Sequence, residues 1–253
     1  MSNVLQRKGG GGPEIYLAPV LTGLGFEGFF TGREGGVSQG CYSSLNVSAD
    51  VGDEPLKVGE NVERIRRAMG IKEMWRARQV HGDHVAGISN WPPSRKDDSD
   101  SLVLAVAGVT AAVSVADCLP LILVDPAKKV AAAVHAGRKG TELHITRKTL
   151  YRMSSWFDCK PEEVVAVLGP CIRSCCYQVD EKTAASFHAC CGGAPGRMLD
   201  IAKANQEQLI AGGVKPGNIH DSRVCTSCEK RSFFSHRRDH GATGRFFCGV
   251  SIL

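Results

Sequence analysis

The sequence predicts one α/β domain, on three observations. Short Val-rich runs bounded by Gly, Asp or Pro recur between residues 102 and 168, as buried strands do. Segments of helical period alternate with them, at Val58, Val62, Ile65 and Met69 and again over 141–157, 180–189 and 199–211. Neither a repeat nor a linker interrupts residues 14–253. With 253 residues, 43% of them apolar and 23% charged, the chain has the composition of a globular protein that buries its own core.

Taken in order, residues 1–13 end in Gly9-Gly-Gly-Gly-Pro13 and read as a flexible tail. Ile15 to Val20 and Gly28 to Thr31 read as strands. The Gly/Ser/Asn-rich stretch between Gly32 and Gly52 is too long for a plain turn and marks a functional loop. Gly70 stops the first long helix. Trp75–Gly82 and His84–Ile88 suggest a hairpin, followed by the polar loop from Trp91. Leu102–Ala107, Ala111–Ala116, Leu119–Val124, Val130–Ala136 and Val164–Leu168 are the buried strands. Gly212-Gly213 ends the last helix, and Arg245–Leu253 forms a final strand.

The formal charge of +5 is too small to argue for nucleic acid, and no apolar run approaches the ~20 residues of a membrane span. Met1 to Lys8 lacks the apolar segment of a secretory signal. The expectation is therefore a cytoplasmic protein without a nucleic-acid or membrane partner; a monomer or homodimer is expected, though not from composition. Its eleven cysteines are an odd number and are expected reduced. Cys225-Thr-Ser-Cys228 has metal-ligand spacing, with His220, His236, His240 and Cys248 nearby in sequence. A zinc ribbon needs a second matched pair, which the spacing does not supply. Cys175-Cys176 and Cys190-Cys191 read most simply as buried thiols.

Three segments carry chemistry: Gln79-Val80-His81-Gly82, Ala116-Asp117-Cys118-Leu119-Pro120 and Val134-His135-Ala136-Gly137. Each places an imidazole or thiol between an apolar strand and a Gly or Pro. Two imidazoles and a thiolate suit a catalytic zinc, which keeps a fourth position open. His81 and Cys118 are 37 residues apart and Cys118 and His135 are 17 apart, so the fold must assemble such a site. A Cys118 nucleophile with His81 or His135 as base uses the same residues. His₂Cys also describes blue copper, but no Met lies near the three turns, and the eight histidines include no His-x-His pair.

These segments resemble the YfiH/YlmD family, also called the laccase-domain or multicopper polyphenol oxidase family, which includes the mammalian purine enzyme FAMIN. The resemblance runs from about Thr31 to Arg245. It includes Arg33-Glu-Gly-Gly-Val-Ser, Ser44-Leu-Asn46, Val51-Gly-Asp53, Leu168-Gly-Pro170, Cys176-Tyr177, Phe233-Phe-Ser235 with Arg237-Arg-Asp239, and Gly244-Arg245. It implies an α/β sandwich of mixed sheets with flanking helices, similar to the catalytic domain of cytotoxic necrotizing factors. It implies zinc, rather than copper, on His81, Cys118 and His135. It also implies phosphorolysis of adenosine, inosine, guanosine and methylthioadenosine, with deamination of adenosine. Copper-dependent phenol oxidation, a cysteine amidase or deamidase, and cell-wall precursor editing are the alternatives. The family usually reads His-Ala-Gly-Trp-Arg-Gly, whereas this chain reads His135-Ala-Gly-Arg138-Lys139-Gly140.

Residue roles follow as expectations. Zinc lowers the pKa of a water it binds to about 7, which suits attack on purine C6, and Asp117 is the candidate proton shuttle. Arg33 is expected to hold phosphate by charge and bidentate geometry, with Arg138 and Lys139 as further anion ligands. Asn46 is expected on the ribose hydroxyls and Tyr177 in the pocket wall. Arg237 and Arg238 are expected to support the loop or phosphate, or to pair with Asp239 or Glu229.

Overall fold

The computed structural model describes residues 4–93, 98–193 and 196–253. In chain order the strands are β1 (Gln6–Arg7), β2 (Ile15–Leu17), β3 (Phe26–Thr31), β4 (Glu73–Trp75), β5 (Val85–Ile88) and β6 (Ser101–Leu104). They continue with β7 (Val109–Val115), β8 (Leu119–Asp125), β9 (Val130–Ala136), β10 (Val165–Leu168), β11 (Ile219–Asp221) and β12 (Phe246–Ile252). The helices are α1 (Pro19–Thr22), α2 (Pro55–Met69), α3 (Arg138–Glu142), α4 (Ile145–Phe157), α5 (Glu181–Cys191) and α6 (Ile201–Ala211).

The strands form two six-stranded mixed sheets, in the orders β1-β2-β3-β12-β7-β4 and β11-β10-β8-β9-β6-β5. The sheets pack face to face. Phe30, Val113, Val115, Phe246 and Val250 of the first share one core with Leu102, Ile122, Val124, Ala131 and Ala133 of the second. Residues of opposite parity point outward and are covered in turn. Phe29, Ala112 and Phe247 pack under Ile65 and Met69 of α2, and Leu121, Leu123, Ala132 and Val134 pack under Ile145, Leu150 and Met153 of α4. Every residue of β8 and β9 is consequently buried, which explains why they are apolar throughout except at Asp125 and His135.

Several sequence expectations change. Glu73–Trp75 runs parallel to β7 in the first sheet and Val85–Ile88 parallel to β6 in the second, so these segments do not form a hairpin. The strand expected over Ile15–Val20 stops at Leu17, because Pro19 fixes φ and opens α1. The segment read as a tail carries β1, paired antiparallel to β2, and Leu5 is buried. Helix 141–157 is two helices, parted by His144 at φ 60°.

The Gly-rich stretch is fastened to α2. Buried Asn61 donates through Nδ2 to the Ser38 hydroxyl, Ser44 O and Asn46 O, and its Oδ1 accepts from Val37 N. Gly70 at φ 66° then caps α2, its N–H turned back to the carbonyls of Arg66 and Arg67.

Candidate metal centre and its cavity

Two of the three expected ligands lie where the chain crosses from one sheet to the other. His81 sits between β4 and β5, and Cys118 between β7 and β8. His135 lies within β9, opposite Pro120 of β8, rather than beyond the strand end. The donor atoms of the three residues converge to within 4.8 Å of one another. The two imidazoles meet edge to face with ring centroids 4.7 Å apart. Gly137 makes this close approach possible: a Cβ there would stand 3.0 Å from Cys118 Sγ and 3.2 Å from His81 Cδ2.

Asp100, which sequence reasoning did not single out, organises the group. It is fully buried at the start of β6. Its Oδ1 accepts the His135 Nδ1 proton at 2.7 Å and the His81 backbone N–H at 3.0 Å. Its Oδ2 accepts from Gly82 N at 2.8 Å and Val80 N at 3.3 Å. Engaging Nδ1 fixes the His135 tautomer and frees Nε2 as a donor. Gln79 anchors the same segment from the other side. Its Oε1 accepts from Ser114 N at 2.7 Å and its Nε2 donates to Ser114 O at 2.9 Å, in place of a strand pair along β7.

Burial alone would raise the Cys118 thiol pKa, but the His135 charge and hydrogen bonds from both imidazoles outweigh it and favour the thiolate. Burial likewise disfavours charge on His135, and the Cys118 thiolate and Asp100 reverse that effect. A thiolate and two oriented imidazoles are a fitting donor set for a borderline-soft ion such as zinc. The open side faces a cavity of about 630 Å³. Val80, Val115, Ala116, Ile172 and Tyr177 give it apolar walls, and Arg138, Lys139, Arg237 and Arg245 give it positive charge. A second cavity of about 480 Å³ shares Arg138, Tyr177 and Arg237 with it.

The other expected site residues divide. Tyr177 lines the cavity, its ring under the Arg237 guanidinium at 5.2 Å. Arg138 lines it too but is paired with Glu142 at 2.7 Å. Asp117 borders it with φ 83°, and both its oxygens are engaged: Thr226 Oγ1 donates to Oδ1 and Arg237 N to Oδ2, each at 2.6 Å. That makes Asp117 a fastener of the Arg237 loop rather than a free proton carrier. Arg238 pairs with Asp239 at 2.8 Å.

Arg33 and Asn46 do not line the cavity. Arg33 donates to Ser43 O and Lys230 O and lies 4.8 Å over the Phe234 ring, closing two loops together. Asn46 is fully buried, its Nδ2 given to Ser48 O and Asp53 Oδ2, and its Oδ1 accepting from Ser48 N and Arg245 N. Asn46 thus has no group left for ribose, and Arg33 is held away from the cavity by its two loop carbonyls. Arg245, which sequence reasoning quoted within a motif but gave no role, borders the cavity just before β12.

The comparisons with known proteins agree with this architecture. The protein named purine nucleoside phosphorylase from Deinococcus radiodurans is 38% identical over 234 residues, covering 88% of both chains. Human purine nucleoside phosphorylase LACC1 is 36% identical over 227 residues, 83% of this chain, and this chain spans about half (52%) of that protein's length. The crystal structure of YlmD from Geobacillus stearothermophilus superposes with TM-score 0.92 at 29% identity, over 99% of each chain. Bacillus licheniformis YfiH, whose structure is titled a hypothetical protein, gives 0.89 at 26% identity over 100% of each chain. With residues 27–252 matching its model, the chain belongs to the family described as multi-copper polyphenol oxidoreductase laccase.

Proposed function

We propose that this chain is a zinc-dependent purine nucleoside phosphorylase, with residues 14–253 acting as one catalytic unit. Adenosine, inosine, guanosine and methylthioadenosine are its proposed substrates, and adenosine deamination is a second activity of the same centre. The observation that carries this reading is the convergence of His81, Cys118 and His135 on a cavity that has apolar walls and a positively charged rim. The names of the relatives from Deinococcus radiodurans and human support the reaction type.

Phosphorolysis replaces the bond from ribose C1′ to the purine nitrogen with a bond to a phosphate oxygen. Two demands follow: an anion must be held beside C1′, and the departing base must be held and neutralised. Lys139, Arg237 and Arg245 supply the charge for the first. Tyr177, Val80 and Ile172 supply a flat apolar wall for the second. Arg138 occupies the position of the family's usual Trp, so the wall there is a guanidinium held by Glu142 rather than an indole. His81, Cys118 and His135 would hold the zinc, and Asp100 keeps two of them oriented. When bound, zinc supplies Lewis acidity and activates water, which is the chemistry adenosine deamination needs.

The polarised Cys118–His135 pair favours one second reading, a cysteine amidase. The two separate cleanly. Zinc-loaded protein is incubated with adenosine and phosphate, and adenine and inosine are followed together by chromatography. The phosphorylase reading expects both products, lost in Cys118→Ala and after chelation. An amide-hydrolysing activity that survives chelation would replace it.

A further inference from the structure

Four cysteines meet on the far side of the Tyr177 loop. Cys175 and Cys176 lie in the turn after β10, and Cys225 and Cys228 in the turn that follows β11. The sequence spacing supplies no second matched pair for Cys225 and Cys228; the fold brings Cys175 and Cys176 to them. All four Sγ atoms lie within 4.8 Å of one another, and none is in a disulfide. Cys175 Sγ is 3.8 Å from Cys176 Sγ and 3.8 Å from Cys228 Sγ, and Cys176 Sγ is 3.5 Å from Cys228 Sγ. A tetrahedral ion with zinc–sulfur bonds of about 2.3 Å sets its sulfurs about 3.8 Å apart.

We propose that Cys175, Cys176, Cys225 and Cys228 form a second metal site, a closed tetrathiolate that holds one zinc ion. The spread of the sulfurs fits a single ion and leaves no room for a cluster with bridging sulfides. Four protein ligands leave no open position, so this zinc is structural. Binding releases the thiol protons to solvent and involves no redox change. Cys175 and Cys228 are exposed, which gives the ion a route in.

The site joins two walls of the catalytic cavity. Tyr177, which lines it, directly follows Cys176. Thr226, between Cys225 and Cys228, donates to Asp117, the neighbour of Cys118. A zinc here cross-links the Tyr177 segment to the segment that fixes the Cys118 turn.

The test is metal stoichiometry of the full chain, purified with a phosphine reductant and analysed by elemental mass spectrometry. Two zinc ions per chain are expected, falling to one in Cys225→Ser/Cys228→Ser and to one in Cys118→Ala. A single zinc that persists in the Cys225/Cys228 variant, iron in place of zinc, or recovery of these thiols as disulfides would overturn the proposal. Should the double variant fail to fold, cobalt(II) titration of Cys118→Ala decides. The proposal expects one equivalent to develop the intense charge-transfer and d–d bands of a tetrahedral cobalt tetrathiolate, and their absence refutes it. Because Cys118→Ala lacks the catalytic ligand, this readout is independent of whether the chain cleaves nucleosides.

Discussion

Asp100 shows how one buried carboxylate sets a site. Its two oxygens accept from three consecutive backbone amides, Val80 to Gly82, and from the ring of His135. Removing it frees the His81 segment and the His135 ring together. Asp100→Ala is expected to weaken zinc binding at this centre about 10–100-fold, as loss of an outer partner of a metal ligand does. Competition with a chromophoric chelator measures this, and unchanged affinity would show that packing alone orients the ligands. The grouping of His81, Cys118 and His135 was legible in the sequence, because each lies within two residues of a Gly or Pro at the edge of a strand-like segment. Asp100 was not, because it ends a polar stretch from Asp97 that reads as loop, and only the fold carries it to residues 19 and 35 positions away.

At the scale of the element, the Gly-rich stretch from Gly32 to Gly52 was read as a substrate loop because length and motif pointed there. The structure gives its conspicuous side chains to holding the loop closed. Asn46 ties Ser48 and Asp53 to the head of β12, and Asn61 of α2 ties Ser38 and Ser44. Asn46→Ala leaves the Arg245 N–H without its acceptor, while Asp53 keeps the Ser38 hydroxyl and the Glu54 N–H as donors. It is therefore expected to cost about 1–3 kcal/mol of folding stability, from one unmet backbone group. Denaturant unfolding checks the cost. A raised KM with unchanged stability would restore Asn46 to the ribose. The hairpin expected around Gly82 failed for a related reason. Periodicity reveals that Trp75 and Val85 lie in strands, but not that those strands belong to different sheets.

For the whole molecule, the site and the fold are coupled because His81 and Cys118 ride on connections between the two sheets and His135 lies within β9. Buried strands were easy to read, since covering both faces of each sheet forces continuous apolar sequence. The order of strands was not, since β12 enters between β3 and β7 from the far end of the chain. Ile122, fully buried between the sheets, fills this shared interior. Ile122→Ala is expected to destabilise the fold by about 2–5 kcal/mol, read as a shifted midpoint in denaturant. A loss well under 1 kcal/mol would mean that the sheets do not pack as described.

The most direct test of the metal-centred phosphorylase is to incubate zinc-loaded protein with inosine, with and without phosphate, and to follow hypoxanthine and ribose 1-phosphate together. Equimolar formation of the two, dependent on phosphate and abolished in Cys118→Ala and His81→Ala, is the expected result. Folded, zinc-replete protein that releases no base, or releases it equally without phosphate, would contradict the assignment.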